Sequence, residues 1–125
     1  MKDASTKIKY KDKEYKLVFN LNVMEEIQEE YGTIEKWGSL CEPSSKNKEP
    51  DVKALKYGFR AMINEGIDID NEQKGTNDPS LSLKQIGRMI TELGTSDAMN
   101  ALNQTVIESS KSTEKNESST KKRKK

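Results

Sequence analysis

A chain of 125 residues with 31% hydrophobic against 34% charged side chains has room for one small domain with a thin core, so partner binding or self-association is expected to supplement its stability. The absence of histidine and the single cysteine exclude a hydrolase triad, an imidazole-held metal and an internal disulfide, and fit a reducing cytoplasm. The net charge of +1 hides a split: residues 1–110 hold 15 Lys/Arg against 19 Asp/Glu, and residues 111–125 hold 7 against 2, an acidic body with a basic tail.

The opening "MKDASTKIKYKDKEYKL" lacks the apolar run of a signal peptide, and no stretch approaches the roughly 18 apolar residues of a membrane span, so a soluble cytosolic protein with no membrane partner is expected. Ile8 and Tyr10, then Tyr15, Leu17 and Phe19, alternate on either side of "KDKE", which predicts a β-hairpin. Asn22 with Glu25 three residues on is a capping-box pattern for a helix carrying Val23, Met24, Ile27 and Tyr31 and ending at Gly32. A short helix follows from Thr33 through Trp37 to Leu40, and "EPSSKNKEP" reads as a flexible loop.

Asp51 can cap the next helix, in which Val52, Leu55, Phe59, Met62 and Ile63 form one stripe ending at Gly66. "IDIDNEQKGTNDPS" reads as a polar connection. Ser82 and Gln85 then begin a helix with Leu83, Ile86, Met89, Ile90 and Leu93, closed by Gly94, and a last helix runs from about Ser96 through Met99, Leu102 and Val106 to about Glu108. From Ser109 onward no apolar residue remains, so burial cannot offset the entropy of ordering. The expected fold is mainly α: an N-terminal β-hairpin followed by about five short helices in a domain of residues 1–109, then a disordered Lys-rich tail over 110–125.

Sites for chemistry are scarce. Cys41 has no base to activate it and reads as an ordinary helix-end residue. Asp68, Asp70 and Glu72 alternate like early calcium-loop ligands, but Gln73 stands where the loop needs glycine and Pro79 where it needs a bidentate glutamate. Gly58 and Gly87 lie inside helical patterns, where they allow close helix approach instead of cradling phosphate. Glu25, Glu26, Glu29 and Glu30 make an acidic helix face, solvated or aimed at a basic partner. Met24, Met62, Met89 and Met99 fall on four different helices, as core filler or as the lining of an adaptable groove, and Trp37 can pack on the hairpin or anchor an interface. No catalytic residue, metal ligand or cofactor site is expected.

The runs "YKLVFNLNVMEEIQEEYGTIEKWGSL", "DVKALKYGFRAMINEGIDIDNE" and "LSLKQIGRMITELG" resemble the tail assembly chaperones of long-tailed, siphovirus-type phages and of prophages in Gram-positive bacteria. The resemblance spans roughly residues 7 to 108 and rests on hydrophobic spacing with Gly32, Gly66 and Gly94 as anchors. It implies a non-enzymatic protein that binds the long helical tape measure protein during tail morphogenesis, keeps it soluble in the host bacterial cytoplasm, and is not retained in the mature virion. Trp37, Phe59, Met62, Met89 and Met99 are then the candidate apolar contacts, with Glu26 and Glu30 on a polar rim, and a homo-oligomer is compatible with such a role.

The resemblance also suggests a use for "KNESSTKKRKK". Such genes are often followed by an overlapping frame reached by programmed ribosomal frameshifting, which adds a part that contacts the major tail tube protein. The adenine-rich lysine codons of Thr120–Lys122 or Arg123–Lys125 permit a slippery run. The competing readings are a small nucleic-acid-binding protein that uses the basic tail, disfavoured because the body is net acidic, and a minor structural tail protein.

Overall fold

The alternating apolar positions near the N-terminus pair as a ribbon. In this computed structural model, which describes residues 4–42 and 51–124 and side chains as far as residue 109, β1 (Ala4–Tyr10) and β2 (Lys13–Phe19) form an antiparallel hairpin. The register sets Ile8 opposite Tyr15, Thr6 opposite Leu17 and Ala4 opposite Phe19, giving the ribbon a largely apolar face that enters the core. Its turn is only Lys11 and Asp12, both left-handed with φ of 49° and 63°, the arrangement whose twist matches the flanking strands.

Helix α1 (Leu21–Tyr31) starts directly after the ribbon. Its cap is Asn20, not the expected Asn22: the Val23 N–H donates to Asn20 Oδ1 at 3.2 Å, while Asn20 Nδ2 donates to Glu65 Oε2 at 2.8 Å. Asn22 also donates to Glu65, at 3.1 Å. A distant carboxylate thus decides between two asparagines that local pattern alone ranks the other way. Thr33 caps α2 (Ile34–Cys41) by accepting from the Lys36 N–H at 3.0 Å.

The larger correction concerns α3 (Val52–Lys74). Asp51 caps it as expected, accepting from the Ala54 N–H at 3.1 Å. The helix then passes through Gly66 and stops at Gly75, whose φ of 68° is the left-handed terminator. Gly66 is a contact, not an end: a β-carbon there would collide with the Lys16 backbone carbonyl on β2. The segment expected as a connection after Gly66 is therefore helical as far as Lys74, with Ile67 buried and Lys16 Nζ 3.1 Å from Asp70 Oδ1. Gly58 has a similar role against α2, since a β-carbon would meet the Trp37 indole. The indole N–H donates to the Ala54 carbonyl at 2.9 Å, so Trp37 packs on α3 where the sequence suggests the hairpin.

The connection that remains, 75–82, is tied down by two asparagines of α3. Asn71 Oδ1 accepts from the Thr76 hydroxyl and the Asp78 N–H at 2.8 and 3.0 Å, and Asn64 brackets Leu81 by accepting from its N–H and donating to its carbonyl at 2.8 and 3.1 Å. Helix α4 (Leu83–Leu93) carries the expected capping box of Ser82 and Gln85, and Gly94 follows it.

Helix α5 (Thr95–Lys124) begins one residue before the expected Ser96, and Ser109, the expected end of the folded part, is the last of its described side chains and is buried. The flexible loop expected at 42–50 falls, after Glu42, outside the described residues.

The core gathers around α3, which packs along β2 and against α1, α2 and α4, while α5 lies along β1. Leu17, Phe19, Ile27, Leu55, Phe59, Ile63, Ile86 and Leu102 are all buried in one cluster. At the α5–β1 contact the buried Thr105 hydroxyl donates to the Ala101 carbonyl at 2.8 Å and shares a hydrogen bond with the Thr6 hydroxyl at 2.7 Å, which leaves this polar group satisfied.

Two glycine-to-alanine variants should shift stability in opposite directions. Gly66→Ala must displace backbone and should cost about 2–3 kcal/mol. At Gly38, where a β-carbon meets nothing within 4 Å, alanine should stabilise by up to about 1 kcal/mol through helix propensity. Urea midpoints at unchanged m-value measure both.

Candidate functional site

The sequence places partner contacts at Trp37, Phe59, Met62, Met89 and Met99, with Glu26 and Glu30 at the rim, and most of the apolar set is not on the surface. Trp37, Phe59, Met62 and Met89 are between 0% and 2% exposed, so they form the core and line no open groove large enough to seat a partner's helix on their side chains. Met99 is half-buried at the edge of that core. The physical reason is economy: a chain with so few large apolar side chains spends nearly all of them on its own interior.

Glu26 and Glu30 do lie at the surface, on α1, but in different states. Glu26 is half-buried, with Oε2 3.8 Å from Arg60 Nη2, and its backbone carbonyl accepts from the Tyr57 hydroxyl at 3.2 Å. Glu30 is exposed. Tyr31 meets Tyr57 edge to face at 5.5 Å, and the Arg60 guanidinium lies 5.5 Å from the Tyr57 ring centre. This cluster fastens α1 to α3.

Four large apolar side chains are exposed: Leu21 66%, Val52 61%, Ile107 51% and Leu83 39%. Val52 and Leu83, expected on the apolar stripes of their helices, lie in the first turn of α3 and of α4, outside the packed stretch, whereas Ile107 belongs to no expected stripe. On α5 the buried positions Ala98, Leu102, Thr105 and Ser109 make one stripe, and Ile107 stands on the opposite side from Thr105. An isoleucine out of phase with its own helix is the signal that would have found it. Beside it, Ile34, Trp37 and Gly38 of α2 and Val106 and Ile107 of α5 line an open cleft of about 320 Å³, with Glu42 and Asn103 at its margin. Only an edge of Trp37 reaches this cleft, and Gly38 keeps it open by having no side chain.

A second depression, of about 720 Å³, lies where the hairpin turn approaches α3 and α4. Tyr10, Lys11, Val52, Lys56, Lys84, Gly87, Arg88, Thr91 and Glu92 line it. It adjoins a smaller one of about 240 Å³ that shares Tyr10, Lys11 and Arg88 and adds Tyr15, Leu81, Gln85 and Met89.

Reactive groups are held neutral. Burial above all, then the carboxylates of Asp51 and Glu42, pushes the Cys41 thiol up from 9.0 to about 12, which removes the thiolate that nucleophilic chemistry requires. Burial likewise raises the phenols of Tyr31 and Tyr57, with acidic neighbours adding to it. Asp68, Asp70 and Glu72 lie on α3 and not in a loop, with Asp70 paired to Lys16. Among the described residues no group of three or more His, Cys, Asp or Glu side chains could hold a metal ion, and no helix is long and apolar enough to cross a membrane.

What the surface offers is contact area. No family of known proteins, no curated protein and no solved structure matches this chain.

The Cys41 environment makes a measurable prediction. The thiol stays protonated in the folded chain to about pH 12, whereas the unfolded chain releases its proton near the ordinary value, so stability attributable to Cys41 is complete below pH 9 and falls between there and 12. Alkylation by iodoacetamide at pH 8 should be slow in buffer and fast in denaturing urea. Equal rates in the two conditions would show that the thiol is neither buried nor suppressed.

Proposed function

We propose that this protein is a tail assembly chaperone of the kind made by long-tailed phages and Gram-positive prophages. It binds the tape measure protein and keeps it soluble while the tail forms, and it performs no reaction. The observation that carries this reading is the apolar cleft between α2 and α5, whose lip is the half-exposed Ile107. A tape measure helix presents long apolar stripes to water. A shallow trough edged by branched side chains can cover one face of such a helix and release it again, because so limited an area gives reversible binding.

Support comes also from the order of elements: a hairpin leads into a helix that ends at Gly32, and a further helix ends before Gly94, as the sequence resemblance implies. One departure is that Gly66, an anchor expected to end its helix, lies within α3. The chaperone acts in the host cytoplasm and is left behind when the virion matures. A longer frameshifted product would bring the major tail tube protein into the same assembly.

Co-expression with a tape measure segment tests the reading. The chain should raise the soluble yield of that segment several-fold. Ile107→Glu should abolish the gain without unfolding the chaperone, because residue 107 is half in solvent, and deletion of residues 110–125 should preserve it. A chain that never improves the yield, or whose benefit disappears with the tail but survives Ile107→Glu, removes this function.

A further inference from the structure

On the other side of α3 the surface has a different chemistry. Lys11 from the hairpin turn, Lys56 from α3, and Lys84 and Arg88 from α4 converge on one depression whose only acidic lining residue is Glu92. Among the described residues outside it, Lys16 pairs with Asp70, Lys13 with Asp78, Arg60 with Glu26 and Lys7 with Glu14, at 3.1 to 3.9 Å, while Lys9, Lys36, Lys53 and Lys74 make no ion pair and line neither this depression nor the one beside it. Among the described residues the four groove cations make no ion pair. Concentrating unpaired positive charge in one concavity of a body whose first 110 residues hold 19 acidic against 15 basic side chains marks a surface shaped for an anionic partner.

The floor narrows the class of partner. Val52 is 61% exposed at one end. The adjoining depression, continuous through Tyr10 and Arg88, is floored by Leu81 and Met89. Gly87 keeps the middle open: Lys56 crosses α4 there, with its ammonium 3.3 Å from where a β-carbon on residue 87 would stand. An apolar floor between cationic walls suits a segment with an apolar stripe flanked by carboxylates. Tyr10 and Tyr15 also line the two depressions, but a nucleic acid would carry its phosphates past the four cations onto the net-acidic body, whereas one short helix keeps its carboxylates within their reach.

We propose that this groove docks an acidic amphipathic helix of a partner protein, a second binding face that does not depend on the α2–α5 cleft or on the tape measure reading. The walls steer the segment electrostatically, and Val52 and Leu81 take its apolar side chains.

Fluorescence anisotropy with the full-length protein decides the matter, using a labelled helical peptide with leucines along one face and glutamates on its flanks. Its lysine-for-glutamate counterpart and a labelled single-stranded DNA serve as comparisons. The acidic peptide should bind, and more weakly as salt rises. Lys84→Glu with Arg88→Glu should reduce the affinity about tenfold or more, and Gly87→Leu should reduce it by filling the groove, with unchanged circular dichroism in each case. Ile107→Glu should have no effect here, so loss of tape measure solubilisation and loss of peptide binding are separable. The proposal is overturned if the acidic peptide fails to bind, if the lysine peptide binds equally well, if charge reversal in the groove changes nothing, or if single-stranded DNA binds more tightly through the same residues.

Discussion

A backbone carbonyl on a strand and a helix residue without a side chain set the geometry of this fold. The Lys16 carbonyl occupies the space beside Gly66, and α3 can lie that close to β2 only because residue 66 has no β-carbon. The residues near it on α3 then fall opposite polar partners. Glu65 receives the amides of Asn20 and Asn22, which fixes the start of α1, and Asp70, one turn further on, meets Lys16. The close approach of α3 to β2 at Gly66 lies beside both of these ties. Eight residues earlier Gly58 repeats the device against Trp37, and the indole N–H, which would otherwise be buried without a partner, finds the Ala54 carbonyl. Through Trp37 the position of α2 depends on α3, and through α2 so does the cleft against α5.

This arrangement explains how so lean a chain packs at all. Hydrophobic burial scales with apolar area, and there is little of it here, so the fold relies on close backbone approach and on satisfied polar ties such as Asn64 with Leu81 and Thr105 with Thr6. The consequence for binding is direct. Most large apolar side chains are committed to the interior, and the apolar surface that remains is made of stripe ends and out-of-phase residues: Ile107 and Val106 on one side, Val52 with a set of cations on the other. The two faces differ in kind. One is an apolar trough without charge convergence, and the other is a cationic groove, so they suit different ligands or different parts of one.

The local signals were legible in the sequence. The period-two alternation gave the hairpin, Ser82 with Gln85 the start of α4, Thr33 and Asp51 two more helix starts, and the spacing of Leu55, Phe59, Met62 and Ile63 the buried face of α3. Each depends on residues within a few positions of one another, and local physics is what a linear pattern records. The candidate site was legible only in part. Glu26 and Glu30 were placed at the surface, whereas Trp37, Phe59, Met62 and Met89 were assigned to a partner that they cannot reach, because apolarity alone does not distinguish a residue buried by its own chain from one waiting for another.

Composition and periodicity by themselves determined that this is one mainly helical body with an N-terminal hairpin, lacking histidine and the chemistry that depends on it. Tertiary structure alone decided that Gly66 continues a helix, that Asn20 caps where Asn22 might, and that lysines 45 and 28 residues apart in sequence (Lys11, Lys56, Lys84) share a groove. The reason is the same for all three. A glycine's role depends on whether another backbone stands beside it, a cap's strength on what holds its other end, and a charge's meaning on which distant charges are brought near, and none of these is a property of neighbouring positions in the chain.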